Sequence, residues 1–345
     1  MNGVLGWDIG GANLKAAFVD GAASETIVIE QPFSLWRESH RLADALVEMA
    51  SRVGESRAMA ITMTAELADC FATKREGVAF VLDAFRSAFP ALQPSVYGVD
   101  GRFHSVDEAK ARPLQVAAAN WRASATLVAR SFPDAIFLDA GSTTTDVIPI
   151  VSGRVAVRGK TDPARLRSGE LVYTGVLRTP VCAIVRYLPL RGRRCRVAAE
   201  HFAIAADAHR WLDTIGDADY SCDTPDGRGR SREESGARLA RMICADLEML
   251  STAEVTAIAV EIEKTQVRQI AGAIRQVMRR LAAACPERAV LAGQGAFLAR
   301  AAAQQNGLAT VELADRLGGD AARAVPAAAV AHLLAERLDA STTRG

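Results

Sequence analysis

Two short segments of this chain follow one design, and no other feature of the sequence constrains the fold as tightly. Each is an apolar strand that reaches an aspartate and then a turn rich in glycine or hydroxyl side chains. The first runs from Gly3 to Lys15 through Trp7-Asp8-Ile9-Gly10-Gly11-Ala12-Asn13, and the second runs from Ala135 to Asp146 through Leu138-Asp139-Ala140-Gly141-Ser142-Thr143-Thr144. Such a pair predicts two related lobes facing a ligand cleft. Glycine lets the chain turn so closely that successive N–H groups can point at one anion, and an aspartate ending a buried strand can hold a divalent cation against the same phosphates. The expected ligand is therefore phosphorylated. Asp8 and Asp139 are the candidate magnesium ligands, and Gly10, Gly11, Asn13, Gly141, Ser142, Thr143 and Thr144 are the candidate phosphate contacts.

Neither segment is a GxxxxGK[ST] loop or a dinucleotide fingerprint. Leu14, Ala16, Phe18 and Val19 continue after the first turn as a second strand, so that motif is a hairpin. A third glycine-rich element, Ala289 to Leu298, is a short apolar strand running through Gly293-Gln294-Gly295 into an Ala-rich helix. By itself it reads as a plain strand-to-helix turn. Beside the other two it supplies Gly293 and Gly295 as further ligand contacts.

With 345 residues, half of them apolar, the chain can bury a large core, and two domains are expected. The periodicity divides it into a first lobe over 1–132, a second over 133–338 with an inserted cap at 159–232, and a frayed tail at 339–345. Helices are expected through Leu42, Leu46, Met49 and Val53, over 78–89, and from Gln115 to Ser131. Further helices are expected through Leu239, Ile243, Leu247 and Leu250, from Val267 to Leu281, and at the end through Val330, Leu333, Leu334 and Leu338.

Lys and Arg number 41 against 40 acidic residues, which offers no large field for nucleic acid. The one basic run, Arg191 to Arg196, reads as a solvated loop with the capacity to meet an anionic substrate. Six cysteines without a CxxC pair or zinc-ligand spacing fit a reducing compartment. No secretory signal is read at Met1, and no apolar run approaches the ~20 residues of a membrane helix. The expectation is a soluble cytoplasmic protein with small-molecule partners. Oligomeric state is not legible.

Taken together, the three glycine-rich elements resemble the two phosphate motifs and the adenosine motif of the actin, sugar kinase and heat-shock-70 ATPase superfamily. That resemblance implies an α/β fold of two ribonuclease-H-like lobes. A nearer resemblance lies outside the turns. The strings Ile61-Thr62-Met63-Thr64-Ala65-Glu66-Leu67-Ala68-Asp69-Cys70, Gly169 to Gly175, Ala199 to Ala203 and Asp219 to Arg228 are similar to the hydantoinase/oxoprolinase-related family associated with tetrahydromethanopterin-linked one-carbon metabolism. That family includes the MfnF-like synthases of methanofuran biosynthesis.

What this resemblance implies is a transferase that joins a furanylmethyl diphosphate to the phenol oxygen of a glutamyl tyramine or tyrosine and releases diphosphate. The turn N–H groups, Lys15 and magnesium would stabilise the leaving group, and a carboxylate would take the phenolic proton. Glu66 and Asp69 are the candidates, three apart and on one face if a helix starts there. The same pair also reads as the acidic first turn of that helix. The resemblance further places Cys222, Asp223 and Arg228 on the substrate side. Asn13 stands where sugar kinases usually carry Thr or Ser, so phosphate binding is better supported than use of ATP. An ATP-dependent small-molecule kinase and a non-catalytic nucleotide sensor are the alternative readings.

Overall fold

The structure is a computed structural model that describes residues 3–20, 26–53 and 55–342. Its first sheet has the strand order β3 (Thr26–Pro32), β2 (Asn13–Val19), β1 (Gly3–Ile9), β4 (Ser56–Met63), β5 (Ser95–Tyr97) and β6 (Phe103–His104). β1 forms an antiparallel hairpin with β2, which pairs antiparallel with β3. On its other side β1 runs parallel to β4, followed by β5 and the short antiparallel β6. An antiparallel three-strand run continued by parallel strands is the ribonuclease-H-like sheet that the resemblance implies.

β1 is apolar nearly throughout because both of its faces are covered. On one face Trp7 meets Phe85 of the Lys74–Ala88 helix and Phe89 just beyond its end, beside the Leu42–Ser51 helix. On the other face lie the Asn120–Ser131 helix and the final helix, Val325–Thr342. A Cβ added at Gly6 would stand 2.2 Å from the Ala327 carbonyl oxygen, so strand and helix meet backbone to backbone. This explains why that helix is built of alanine.

The second sheet contains β7 (Ala135–Ala140), β8 (Thr145–Val151), β9 (Arg154–Val155), β10 (Leu171–Val172), β13 (Arg288–Ala292) and β14 (Ala309–Glu312). Its order is β10-β8-β7-β13-β14, with β9 on β8. β11 (Tyr187–Leu190) and β12 (Arg193–Arg196) form a separate hairpin. Contacts gather the chain into two compact units: Met1–Phe137 with Ile148–Arg165 and Val311–Gly345, and Leu138–Val147 with Leu166–Thr310.

Several sequence expectations change here. The final helix, assigned by chain order to the second lobe, packs on the first sheet with Val4, Val19 and Ala60. The tail expected to fray from 339 is helical through Thr342, and 343–345 lie outside the described residues. The helix expected through Leu239, Ile243, Leu247 and Leu250 stops at Arg241, where Cys244 takes a positive φ. A new helix then runs over Thr252–Leu281, started by a reciprocal cap between Ser251 and Glu254. Local capping outweighs the apolar period there. The helix expected from Gln115 begins at Asn120, after Ala118 at φ 48°.

Candidate active site

The first unit carries the Asp8 turn. The Gly10 N–H donates to the Asn13 carbonyl at 3.0 Å, and a Cβ on Gly10 would come within 2.8 Å of that oxygen. Among the described residues the Gly11 and Ala12 N–H groups have no protein acceptor, which leaves them available to an anion. Asp8 is paired across the strands with Lys15 on β2 and with Thr62 on β4. In-register neighbours point to the same face of a sheet, so all three side chains rise on the side opposite Trp7.

Asp8 Oδ1 and Thr62 Oγ1 are both buried without a hydrogen-bond partner. Burial pushes the Asp8 carboxyl up to about 6, with Lys15 opposing and Glu30 and Glu66 adding to the rise. Lys15 itself reaches the Arg323 carbonyl at 2.9 Å and Glu30 at 3.4 Å. The place of Thr62 opposite Asp8 emerges only from the strand pairing. Its signal is a hydroxyl standing in the apolar run Ala60-Ile61-Thr62-Met63, directly opposite the motif aspartate.

Beyond β4 the chain makes a single tight turn, Ala65–Leu67, and then extends at Ala68. This single 3-10 turn ends before Asp69 and no α-helix follows from it, so Glu66 and Asp69 do not share a helix face. Glu66 is 1% exposed whereas Asp69 is exposed. The Glu66 backbone is pressed against Gly77, where a Cβ would stand 2.3 Å from its carbonyl oxygen. Glu66 Oε1 is 3.2 Å from Lys74 Nζ, while Oε2 is buried without a partner. Burial raises the Glu66 carboxyl above its usual range, and Lys74 works against that rise.

The second unit repeats the turn. The Gly141 N–H donates to the Thr144 carbonyl at 2.9 Å, at the same offset from Asp139 that Gly10 and Asn13 have from Asp8. The Ser142 and Thr143 N–H groups have no protein acceptor among the described residues. Gly175 backs this turn so closely that a Cβ there would be 2.5 Å from the Thr143 backbone. The Ser142 carbonyl accepts from the N–H groups of Leu177 and Arg178.

The third glycine element joins the same place. Gly293 has φ 83°, and a Cβ on it would be 2.4 Å from the Ala140 oxygen and 2.5 Å from Asp139 Oδ1. The Gly295 N–H donates to the Ala140 carbonyl at 2.8 Å. Asp139, Gly141 and the Gly-x-Gly turn, far apart in sequence, are thus brought into one neighbourhood.

The chain matches the hydantoinase/oxoprolinase family model over residues 57–337. The chain belongs to the hydantoinase/oxoprolinase family. Within it the chain is 37% identical, over 97% of its own length and 98% of the relative's, to the (4-{4-[2-(gamma-L-glutamylamino)ethyl]phenoxymethyl}furan-2-yl)methanamine synthase of Methanocaldococcus jannaschii. The Methanococcus vannielii synthase of the same name is 35% identical over 61% of this chain and 94% of that protein. Among solved structures, an ethanolamine utilization protein EutJ from Carboxydothermus hydrogenoformans matches at TM-score 0.49 and 12% identity, covering 96% of this chain and 89% of that one. A ROK family glucokinase from Streptomyces griseus matches at TM-score 0.46 and 17% identity, covering 96% and 99%.

In this hydantoinase/oxoprolinase-family chain the Asp219–Arg228 segment is tied down from several directions. Gln294, between the two glycines, donates to the Asp219 carbonyl at 2.7 Å. Tyr220 donates to Asp207 Oδ1 at 2.9 Å, and the buried Arg238 donates to the same oxygen at 2.8 Å. Arg238 also reaches Asp226 at 3.1 Å. Cys222 is packed near Val176, Leu177 and Phe297, and burial pushes its thiol up to about 11. It is therefore a neutral thiol at neutral pH. The Asp223 and Arg228 side chains are exposed, and the Arg228 backbone closes the turn with Thr224 and Asp226.

A second buried chain lies behind the Ser142 turn. His209 meets Gln266 at 2.9 Å, and Gln266 donates to Thr174 Oγ1 and the Gly175 carbonyl. Asp207 and His209 are accordingly structural, bonded to Arg238 and Gln266. Among the described residues no group of three or more His, Cys, Asp or Glu side chains is arranged to hold a metal. Asp8, whose buried unpartnered oxygen stands beside a buried hydroxyl, offers oxygen donors of the kind that a hard divalent cation takes.

Proposed function

We propose that this chain forms an aryl ether, joining the methylene carbon of a furanylmethyl diphosphate to the phenol oxygen of a glutamyl tyramine or tyrosine derivative. The match to the Methanocaldococcus jannaschii synthase over nearly the whole of both chains carries this reading. The name of that enzyme's product contains a phenoxymethyl link between a glutamylaminoethyl phenyl group and a furan methanamine. In the step, the carbon–oxygen bond to diphosphate breaks with its electron pair going to the leaving oxygen. The phenol oxygen bonds to the freed methylene carbon, and its proton passes to a carboxylate.

The residues suit that division of labour. The Asp8 turn and the Asp139 turn each present N–H groups without protein acceptors, as a leaving diphosphate requires. One preorganised contact of this kind is worth ~3 kcal/mol in the transition state. A magnesium ion held by Asp8 or Asp139 would neutralise charge developing on the leaving group. A phenol titrates near ~10, so it needs a base, and a positioned carboxylate contributes roughly 100-fold to 10,000-fold. Glu66 is that base in this reading, and Asp69, exposed in the turn that follows Ala68, is not. Six free thiols fit a reducing cytoplasm, and among the described residues no helix is long and apolar enough to cross a membrane.

The test is direct. Purified protein with magnesium, the furanylmethyl diphosphate and glutamyl tyramine should release diphosphate and the ether in equal amounts, measured by coupled assay and mass spectrometry. Turnover of ATP to ADP without ether would overturn the reading in favour of a kinase.

A further inference from the structure

Lys74 is the first residue of the Lys74–Ala88 helix, fixed there by Thr73, whose hydroxyl accepts the Glu76 N–H. A cation at a helix N-terminus is opposed by the macrodipole, so the helix gives no reason for a lysine at this place. Two carboxylates do. Lys74 Nζ lies 3.2 Å from Glu66 Oε1 and 2.7 Å from Asp162 Oδ2, at the start of the Asp162–Ser168 helix. Asp162 and Lys74 are each partly exposed, while Glu66 is buried.

The result is an asymmetric carboxylate. Oε1 of Glu66 is occupied by the ammonium group, Oε2 has no protein partner, and Gly77 holds the backbone beneath it in place. An oxygen kept unpaired in the interior costs free energy that a structural ion pair would normally avoid.

The geometry points to Lys74 as a positioning residue, oriented by Asp162, that holds Glu66 ionised with Oε2 directed to the phenolic proton. This rests on the reading of Glu66 as the base. The charged groups that act on Glu66 are Lys74 from its helix and Asp162 from the Ile148–Arg165 segment of the same unit, and Glu66 is in turn felt by Asp8 on β1. Lys74 favours the carboxylate and Asp162 disfavours it, so their removal should have opposite electrostatic consequences.

The experiment is the pH profile of kcat/KM for ether formation in wild type, K74M, K74R, D162N and E66Q, with folding checked by circular dichroism. K74M should move the acidic limb to higher pH by about one unit or more, since loss of a neighbouring opposite charge shifts a carboxyl by that order. Its kcat should fall roughly 10-fold near neutrality with KM little changed, and recover toward wild type as pH rises. K74R should restore the limb. D162N should leave the limb in place or lower it, while reducing kcat through loss of the lysine's anchor. An unmoved limb in K74M, or a limb that D162N drives upward, overturns the inference. D162N alone keeps the test valid if K74M does not fold. Full turnover in E66Q would instead remove the base reading itself, whereas an inactive E66Q with an unmoved K74M limb removes only the role of Lys74.

Discussion

Asp8 and Thr62 stand opposite each other on parallel neighbouring strands, and each keeps a buried side-chain oxygen without a hydrogen-bond partner. Two adjacent unsatisfied oxygens at the end of a central strand are costly in the free protein. That cost is the structural mark of a site arranged for something other than stability.

Replacing Asp8 by Asn should therefore stabilise the fold at neutral pH while removing turnover. Burial raises the folded-state value from 3.8 to about 6, so the folded protein favours the protonated acid. Stability from this group is complete below the ordinary value and is lost as pH rises toward the folded value. The variant should be more stable than wild type by about 2–3 kcal/mol at pH above 6, with the gain vanishing near pH 4. Urea unfolding at the two extremes checks the sign. An equal difference at both would show that Asp8 is not a buried acid.

Gly77→Ala should disturb the base without touching a charged group. The added Cβ would meet the Glu66 carbonyl at 2.3 Å and its Cα at 2.6 Å, both backbone atoms with no rotamer to escape into. Overpacking of this kind costs about 1–3 kcal/mol, despite the better helix propensity of alanine. Thermal unfolding should show the loss, and kcat should fall more than KM rises.

Gly293→Ala should be the most damaging change in the second unit's site. The backbone there is left-handed at φ 83°, and the new methyl would stand 2.4 Å from the Ala140 oxygen and 2.5 Å from Asp139 Oδ1. Backbone strain and collision act together. Loss of activity with a lowered Tm is expected, whereas Gly192→Ala, also at positive φ but with nothing within 4 Å, should lower Tm far less and keep activity.

Arg238→Met should unfold the Asp219–Arg228 segment from its anchor. Arg238 and Asp207 are both fully buried, and Asp207 also holds Tyr220. Removing one partner leaves a buried charge uncompensated, which costs about 3–5 kcal/mol. Denaturant unfolding measures the loss. Limited proteolysis should cut within 219–230 in the variant and not in wild type.

The parts of this molecule that could be read from the chain are those decided within a few residues. The hairpin after Asp8, the matching turn after Asp139 and the strand-to-helix turn at Gly293 need only glycine and an i, i+3 hydrogen bond, and all three formed as expected. The Leu42–Ser51 and Lys74–Ala88 helices followed from their apolar spacing. Periodicity misled where a local cap competed with it, as at Ser251, and where chain order stood in for packing, as with the Val325–Thr342 helix.

The sequence by itself determined the two glycine turns after Asp8 and Asp139, the α/β class and the family, because these depend on local backbone geometry and on motifs that survive as strings of residues. Only the tertiary structure decided which carboxylate is buried, that Lys74 and Asp162 stand beside Glu66, and that Thr62 faces Asp8. Burial and ion pairing join residues remote in the chain, and a side chain's desolvation is a property of everything packed around it. No spacing in the sequence encodes that quantity.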